Sequence, residues 1–120
     1  MGDIHAVQGD GETVICALEM SGEVSVKVDV LKNRQDIPTP FIVTENHYII
    51  TAADSSLDNC SVIAAQKMHR FLQHHSDLTD AQSGMLLSLA GNLRISQIVN
   101  PAKGCIMEFL IDLAKEKFQK

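Results

Sequence analysis

Tryptophan is absent from this chain and tyrosine occurs once, so its interior has to be assembled mainly from Val, Ile, Leu, Met and Ala. It has no basic stripe. A formal charge of −5 and a pI near 5.4 argue against a nucleic-acid partner, because phosphate binding needs clustered Lys and Arg. Its apolar runs are only a few residues long, far short of the roughly 20 that span a bilayer as a helix. The N-terminus opens on an acidic, Gly-rich stretch rather than a basic and then apolar leader. Met1-Gly2 also lacks the Ser or Thr that myristoylation wants where Ala6 stands. A cytoplasmic protein with no membrane partner is the expectation. Cys16, Cys60 and Cys105 form no C-x-x-C pair, so reduced and mostly buried thiols are expected. Asn59-Cys60-Ser61 matches a glycosylation acceptor by chance if no secretion signal precedes it.

What is present suits one folded unit. The chain has 120 residues, 45% of them hydrophobic and 21% charged, which predicts a single domain over 1–120 with a real core. Thr13 to Met20 reads as a buried strand, and Val24, Val26, Val28 and Val30 alternate with Ser25, Lys27 and Asp29 at the period of a half-buried one. Ser21-Gly22 between them predicts an antiparallel hairpin. Asn33 to Pro40 should be a surface connection. Phe41 to Thr44 and Tyr48 to Ala52 follow as short strands around Glu45-Asn46-His47.

The period then changes to that of a helix. Leu57, Ser61, Ala64, Met68, Phe71 and His75 share one face, with Ser55 and Asp58 as a capping box and Ala64, Met68, Phe71 and Leu72 buried. A second helix should run from Thr79, capped with the help of Gln82, to Ala90, where Gly91 supplies a left-handed stop. Leu93, Ile95 and Ile98-Val99 predict a strand, Cys105 to Phe109 another, and Leu110 to Phe118 a short terminal helix. Strands precede the paired helices without regular β-α alternation. The expected fold class is therefore α+β, a mostly antiparallel sheet with two main helices packed on one face.

Chemistry concentrates in Gly2-Asp3-Ile4-His5-Ala6-Val7-Gln8-Gly9-Asp10-Gly11-Glu12. In extended backbone Asp3 and His5 face one side, and Gly9 and Gly11 permit a sharp bend that returns Asp10 or Glu12 toward them. One imidazole with two or three carboxylates is a ligand set that a divalent cation can use to activate water. The same residues also suit an ordinary turn, with His5 solvated, and pattern alone favours that reading. Elsewhere structural roles are expected. Arg94 should pair with an acid across the sheet, Asn100 serves a turn, His69, His74 and His75 belong to a helix end and the surface, and the cysteines lack a base to activate them.

The segment G-D-x-H-A-x-x-G-D-G-E, standing here as Gly2 to Glu12, resembles the acetamidase/formamidase family. So does Leu86-Leu87-Ser88-Leu89-Ala90-Gly91-Asn92-Leu93-Arg94-Ile95-Ser96-Gln97-Ile98-Val99-Asn100-Pro101, which is similar to the family's near-terminal helix, glycine and strand. The helix from Leu57 to Leu72 takes the place of the family's long helix. The resemblance covers nearly the whole chain and matches the C-terminal part of the family. Two departures accompany it: Thr13-Val14-Ile15-Cys16 replaces a Cys-Gly pair, and the family's preceding region, with a Gly-Gly-Asn-x-Asp element attributed to its site, has no counterpart.

The resemblance implies hydrolysis of small aliphatic amides such as formamide or acetamide, releasing ammonia by metal-activated water, with this chain supplying part of the site. It implies Asp3, His5 and Asp10 as ligands of a divalent ion of Zn or Ca type, Glu12 and Asp10 as catalytic acids, and Gln8 and Glu19 as substrate contacts. Expected partners are a small amide and either further copies in a homo-oligomer or a missing N-terminal half. The alternative is a non-catalytic C-terminal or oligomerisation module of a split or truncated amidase.

Overall fold

The computed structural model describes residues 4–9 and 11–115. Six strands and three helices follow in the order β1 (Ile4–Val7), β2 (Leu18–Met20), β3 (Phe41–Val43), β4 (His47–Asp54), α1 (Leu57–His74), α2 (Asp80–Ala90), β5 (Asn92–Gln97), β6 (Lys103–Leu110) and α3 (Ile111–Lys115). The main sheet is four-stranded and antiparallel, ordered β3-β4-β6-β5, and β1 pairs with β2 in a separate two-stranded sheet. The α+β expectation holds, with α1 lying on β4 and β6 and α2 packed against α1 and β6.

Alternation decides which side of the main sheet is covered. Ile50 and Ala52 on β4 stand opposite Met107 and Cys105 on β6, and all four are buried. Onto them α1 presses Cys60, Ala64, Met68, Phe71 and Leu72, and α2 adds Leu87. The expected face of Ala64, Met68, Phe71 and Leu72 is therefore the one that is buried. With no Trp available, aromatic packing is confined to one end. There the Phe71 ring lies 4.8 Å from Phe41 and 5.1 Å from Tyr48, within the range of favourable edge and offset contacts.

Helix starts follow side-chain chemistry. The α2 capping box is as predicted: Gln82 N donates to Thr79 Oγ1 and Thr79 N donates to Gln82 Oε1. At α1 the cap is Ser56 rather than Ser55, because β4 runs on to Asp54 and its carboxylate accepts from Ser56 N at 2.8 Å, shifting the first turn by one residue. Gly91 is also used differently from expectation. Its backbone is extended (φ −77°, ψ 142°), since the chain passes directly into β5. Glycine is required there by space, as a Cβ would lie 2.5 Å from the Leu87 carbonyl oxygen.

The expected hairpin of residues 13–30 does not form. β2 spans only Leu18–Met20 and pairs with β1, while Val24, Val26, Val28 and Val30 belong to no strand and are exposed. Alternation reports which face a strand would bury, but burial needs a second layer, and the helices already lie on the main sheet. β5 closes at Gln97, short of the expected Val99, and β6 is longer than expected at both ends. The terminal helix is seen as Ile111–Lys115, and its expected continuation to Phe118 lies outside the described residues.

Two measurements check this packing. Phe71→Ala should lower the unfolding free energy by on the order of 3 kcal/mol through the cavity it leaves, whereas Val26→Ala should change it by less than about 0.5 kcal/mol. Chemical denaturation of both variants is the test. Thiols supply the second. Cys60 donates to the Ala52 and Lys103 carbonyls, and burial, with a hydrogen bond to Cys60, pushes the Cys105 thiol up to about 11. Cys60 and Cys105 are buried, as expected for most of the thiols, and Cys16 is exposed. An aromatic disulfide reagent at pH 8 should therefore titrate Cys16 alone in the native protein, with Cys60 and Cys105 reacting only in denaturant.

Candidate active site

The acidic histidine segment is anchored at two points. At its start, β1 places His5 opposite Glu19 on β2, and a bulge follows between His5 and Val7. His5 Nε2 lies 3.1 Å from Glu19 Oε1, with the two side chains 35% and 61% exposed. At its end, Gly11 adopts φ +66°, a left-handed turn that only glycine makes without strain. That turn delivers Glu12 to the free edge of β5. Glu12 N donates to Ser96 O at 3.1 Å and Ile98 N donates to Glu12 O at 3.0 Å, forming an isolated parallel bridge to Gln97.

Of the residues expected to carry chemistry, the structure brings together His5 and Glu19. Gln8 is exposed, and neither it nor Glu12 has a side-chain bond to that pair among the described residues. Asp3 and Asp10 lie outside the described residues, so only His5 of the expected metal ligands is placed. Among the described residues no three His, Cys, Asp or Glu side chains gather as a metal site. A carboxylate on one ring nitrogen of an imidazole fixes its tautomer and leaves the other nitrogen for a ligand or a proton. That is what the His5–Glu19 pair can do chemically.

Arg94 meets the acid that was expected across the sheet, Glu108, on the face turned away from the helices, where Asn92 Nδ2 also donates to Glu108. His69 bridges the helices, its Nε2 lying 3.1 Å from the Asp80 carbonyl oxygen. Sequence reasoning missed one cluster. His75 Nε2 lies 3.1 Å from Asp36 Oδ2, and Arg34 grips both oxygens of Asp36 at 2.9 Å. Arg34 and His75 border a cavity of about 410 Å³ whose apolar side is Ile37, Phe41, Tyr48 and Phe71. The fork of Arg34 was the only signal available, two residues before Asp36. The cluster sits beside β3, at the opposite edge of the main sheet from Glu12.

The match described as the Acetamidase/Formamidase family covers residues 1–112. Among solved structures, an acetamidase from Bacillus halodurans is 39% identical with a TM-score of 0.89, over 94% of this chain and 38% of that one. A predicted acetamidase/formamidase from Thermoanaerobacter tengcongensis is 30% identical with a TM-score of 0.87, over 94% of this chain and 37% of that one. This chain thus spans less than two fifths of the length of these relatives. No curated protein matches it.

Acid should expose the Arg34–Asp36 contact. The Arg34 guanidinium holds the Asp36 carboxyl at about 2, below the ordinary carboxylate range, with His75 adding a smaller pull. A folded-state value below the unfolded one contributes stability that is full above about pH 4 and is lost as the pH falls toward 2. Asp36→Asn should therefore flatten the dependence of the thermal midpoint on pH between about 4 and 2. An unchanged slope would show that the ion pair contributes nothing in solution.

Proposed function

Because this chain belongs to the acetamidase/formamidase family, we propose that it supplies part of the site of an amidohydrolase acting on small aliphatic amides of the formamide and acetamide type. The observation that supports this reading is that His5, inside the segment that carries the family's motif, meets Glu19 on β2. Water adds to the amide carbonyl carbon, the C–N bond breaks, and ammonia leaves with a proton passed to its nitrogen.

The described donors fit a divalent ion in one respect. His5 is only partly buried and its Nε2 faces a carboxylate, which leaves Nδ1 for a cation. Asp3, His5 and Asp10 would hold the ion, of Zn or Ca type, which supplies Lewis-acid activation of water and carbonyl. Glu19 orients the imidazole in this reading, in addition to any contact it makes with substrate. Glu12, fixed by its backbone to β5, carries the proton to the leaving amine, with Asp10 as the second acid, and Gln8 donates to the amide oxygen. The remaining groups come from the part of the family's fold that this chain does not span.

The second reading is a non-catalytic module of a split amidase or an oligomer. The short coverage of its solved relatives favours it. Co-expression separates the two. The full chain, produced with the segment of the Bacillus halodurans acetamidase outside the superposed region, should release ammonia from formamide. His5→Ala should lower that rate by about 10²-fold or more, and Glu19→Gln by about 10-fold or more together with metal affinity. The thermal midpoint should stay nearly constant in both. If replacing Asp3 and His5 together by Ala leaves the rate intact, the motif is a structural turn and the mechanism is wrong.

A further inference from the structure

Half of the large apolar side chains that the described residues expose lie between Val7 and Leu31. Within that stretch, Val26 is 65% and Val28 is 86% exposed. Ordinary surfaces scatter such residues singly, and a contiguous set marks a surface that is meant to be covered. The spacing is as informative as the amount. Val24, Val26, Val28 and Val30 alternate with Ser25, Lys27 and Asp29, the pattern of a strand with one face buried, yet residues 23–31 make no backbone–backbone hydrogen bond among the described residues. Apart from Val30 N, which donates to Asp29 Oδ1 at 2.8 Å, these peptide groups have no partner among the described residues that would keep them from a neighbouring strand.

Next to this segment stands the β1–β2 pair, a two-stranded sheet with Val7, Leu18 and Met20 also exposed. Two strands alone are marginally stable in water, and a third strand or a covering layer is the usual remedy. Both features call for the same kind of neighbour.

We infer that residues 23–31 are a docking strand, completed by main-chain pairing with an extended segment from the part of the acetamidase fold that this chain does not span. Two observations select this occupant. The solved relatives superpose on nearly all of this chain yet have well over half of their own length elsewhere, enough to supply both a strand and a covering layer. The polar face of the segment carries Glu23, Lys27 and Asp29, of mixed sign, which suits a polypeptide strand with alternating residues and gives no hold to an anionic membrane or a nucleic acid. Pairing here would also brace β2, and through it the position of Glu19 against His5. The inference rests on the reading that the site is completed by more of the family's fold.

Amide hydrogen exchange of the full chain, alone and co-expressed with the segment of the Bacillus halodurans acetamidase outside the superposed region, tests it. In the complex, exchange at residues 24–31 should slow by about 100-fold or more. Val26→Lys combined with Val28→Lys, both on exposed side chains, should leave the circular dichroism and thermal midpoint of the isolated chain unchanged. It should weaken association by about 10-fold or more, as charges placed on a pairing strand do, while Lys27→Ser has no such effect. Association without protection at 24–31, or association indifferent to the double variant, overturns the docking strand. Protection already present in the isolated chain, with the mass of a dimer, assigns the strand to a second copy and overturns the partner inferred here. Protection in a complex that releases no ammonia supports the docking strand and removes the catalytic reading. Failure of the two pieces to associate removes both.

Discussion

An antiparallel sheet whose apolar residues alternate is stable only where something lies on its apolar face, and in this chain that cover is α1. Cys60, Ala64, Met68, Phe71 and Leu72 are spaced so that one helix face meets Ile50 and Ala52 from β4 and Cys105, Met107 and Phe109 from β6. The central pair of strands and the helix thus specify one another. α2 is a dependent element, held by Leu87 and by His69 reaching the Asp80 carbonyl. The 34–40 connection is strapped down in turn by Lys67, which donates to Thr39 O, and by the contact of its Asp36 with His75 at the end of α1.

How much of this was legible in the sequence depended on whether the deciding interaction was local. α1, α2 and the Thr79 cap are set by residues three and four apart, and each was readable. So was the strand pair around residues 44–46, where Thr44 Oγ1 accepts from His47 N in a tight turn. Val24–Val30 has the best alternation in the chain and is no strand, because the pattern states a requirement that only a distant partner can meet. Gly91 taught a narrower lesson. A glycine at a helix end suggests the left-handed region, but here the Leu87 carbonyl leaves no room for a Cβ.

The site divides in the same way. The motif from Gly2 to Glu12 offers candidate ligand types, and Gly11 makes a left-handed turn at φ +66° that carries Glu12 to the β5 edge. Register was not readable. That Glu19 faces His5 depends on the β1–β2 alignment and its bulge, which no spacing in the sequence fixes. The Arg34–Asp36–His75 cluster was missed for a related reason, since α1 and the connection before β3 meet only once the sheet is formed.

The chain therefore carries two kinds of order. From Phe41 onward the elements bury one another. Before it, β1, β2 and the segment up to Leu31 expose their apolar side chains and are tied to the main sheet through the backbone of Glu12 at the β5 edge. The chemistry-bearing residues lie in this less supported part. In the role proposed for it, His5 would have to be held to within about 0.5 Å and about 10–20° to be effective, and such precision needs rigid neighbours. Glu19 can orient His5 only as firmly as β2 is itself held. A layer laid over residues 7–31 would thus firm the His5–Glu19 contact as well as stabilise β1 and β2, and on the proposed reading formation of the site and assembly of the fold would become one equilibrium.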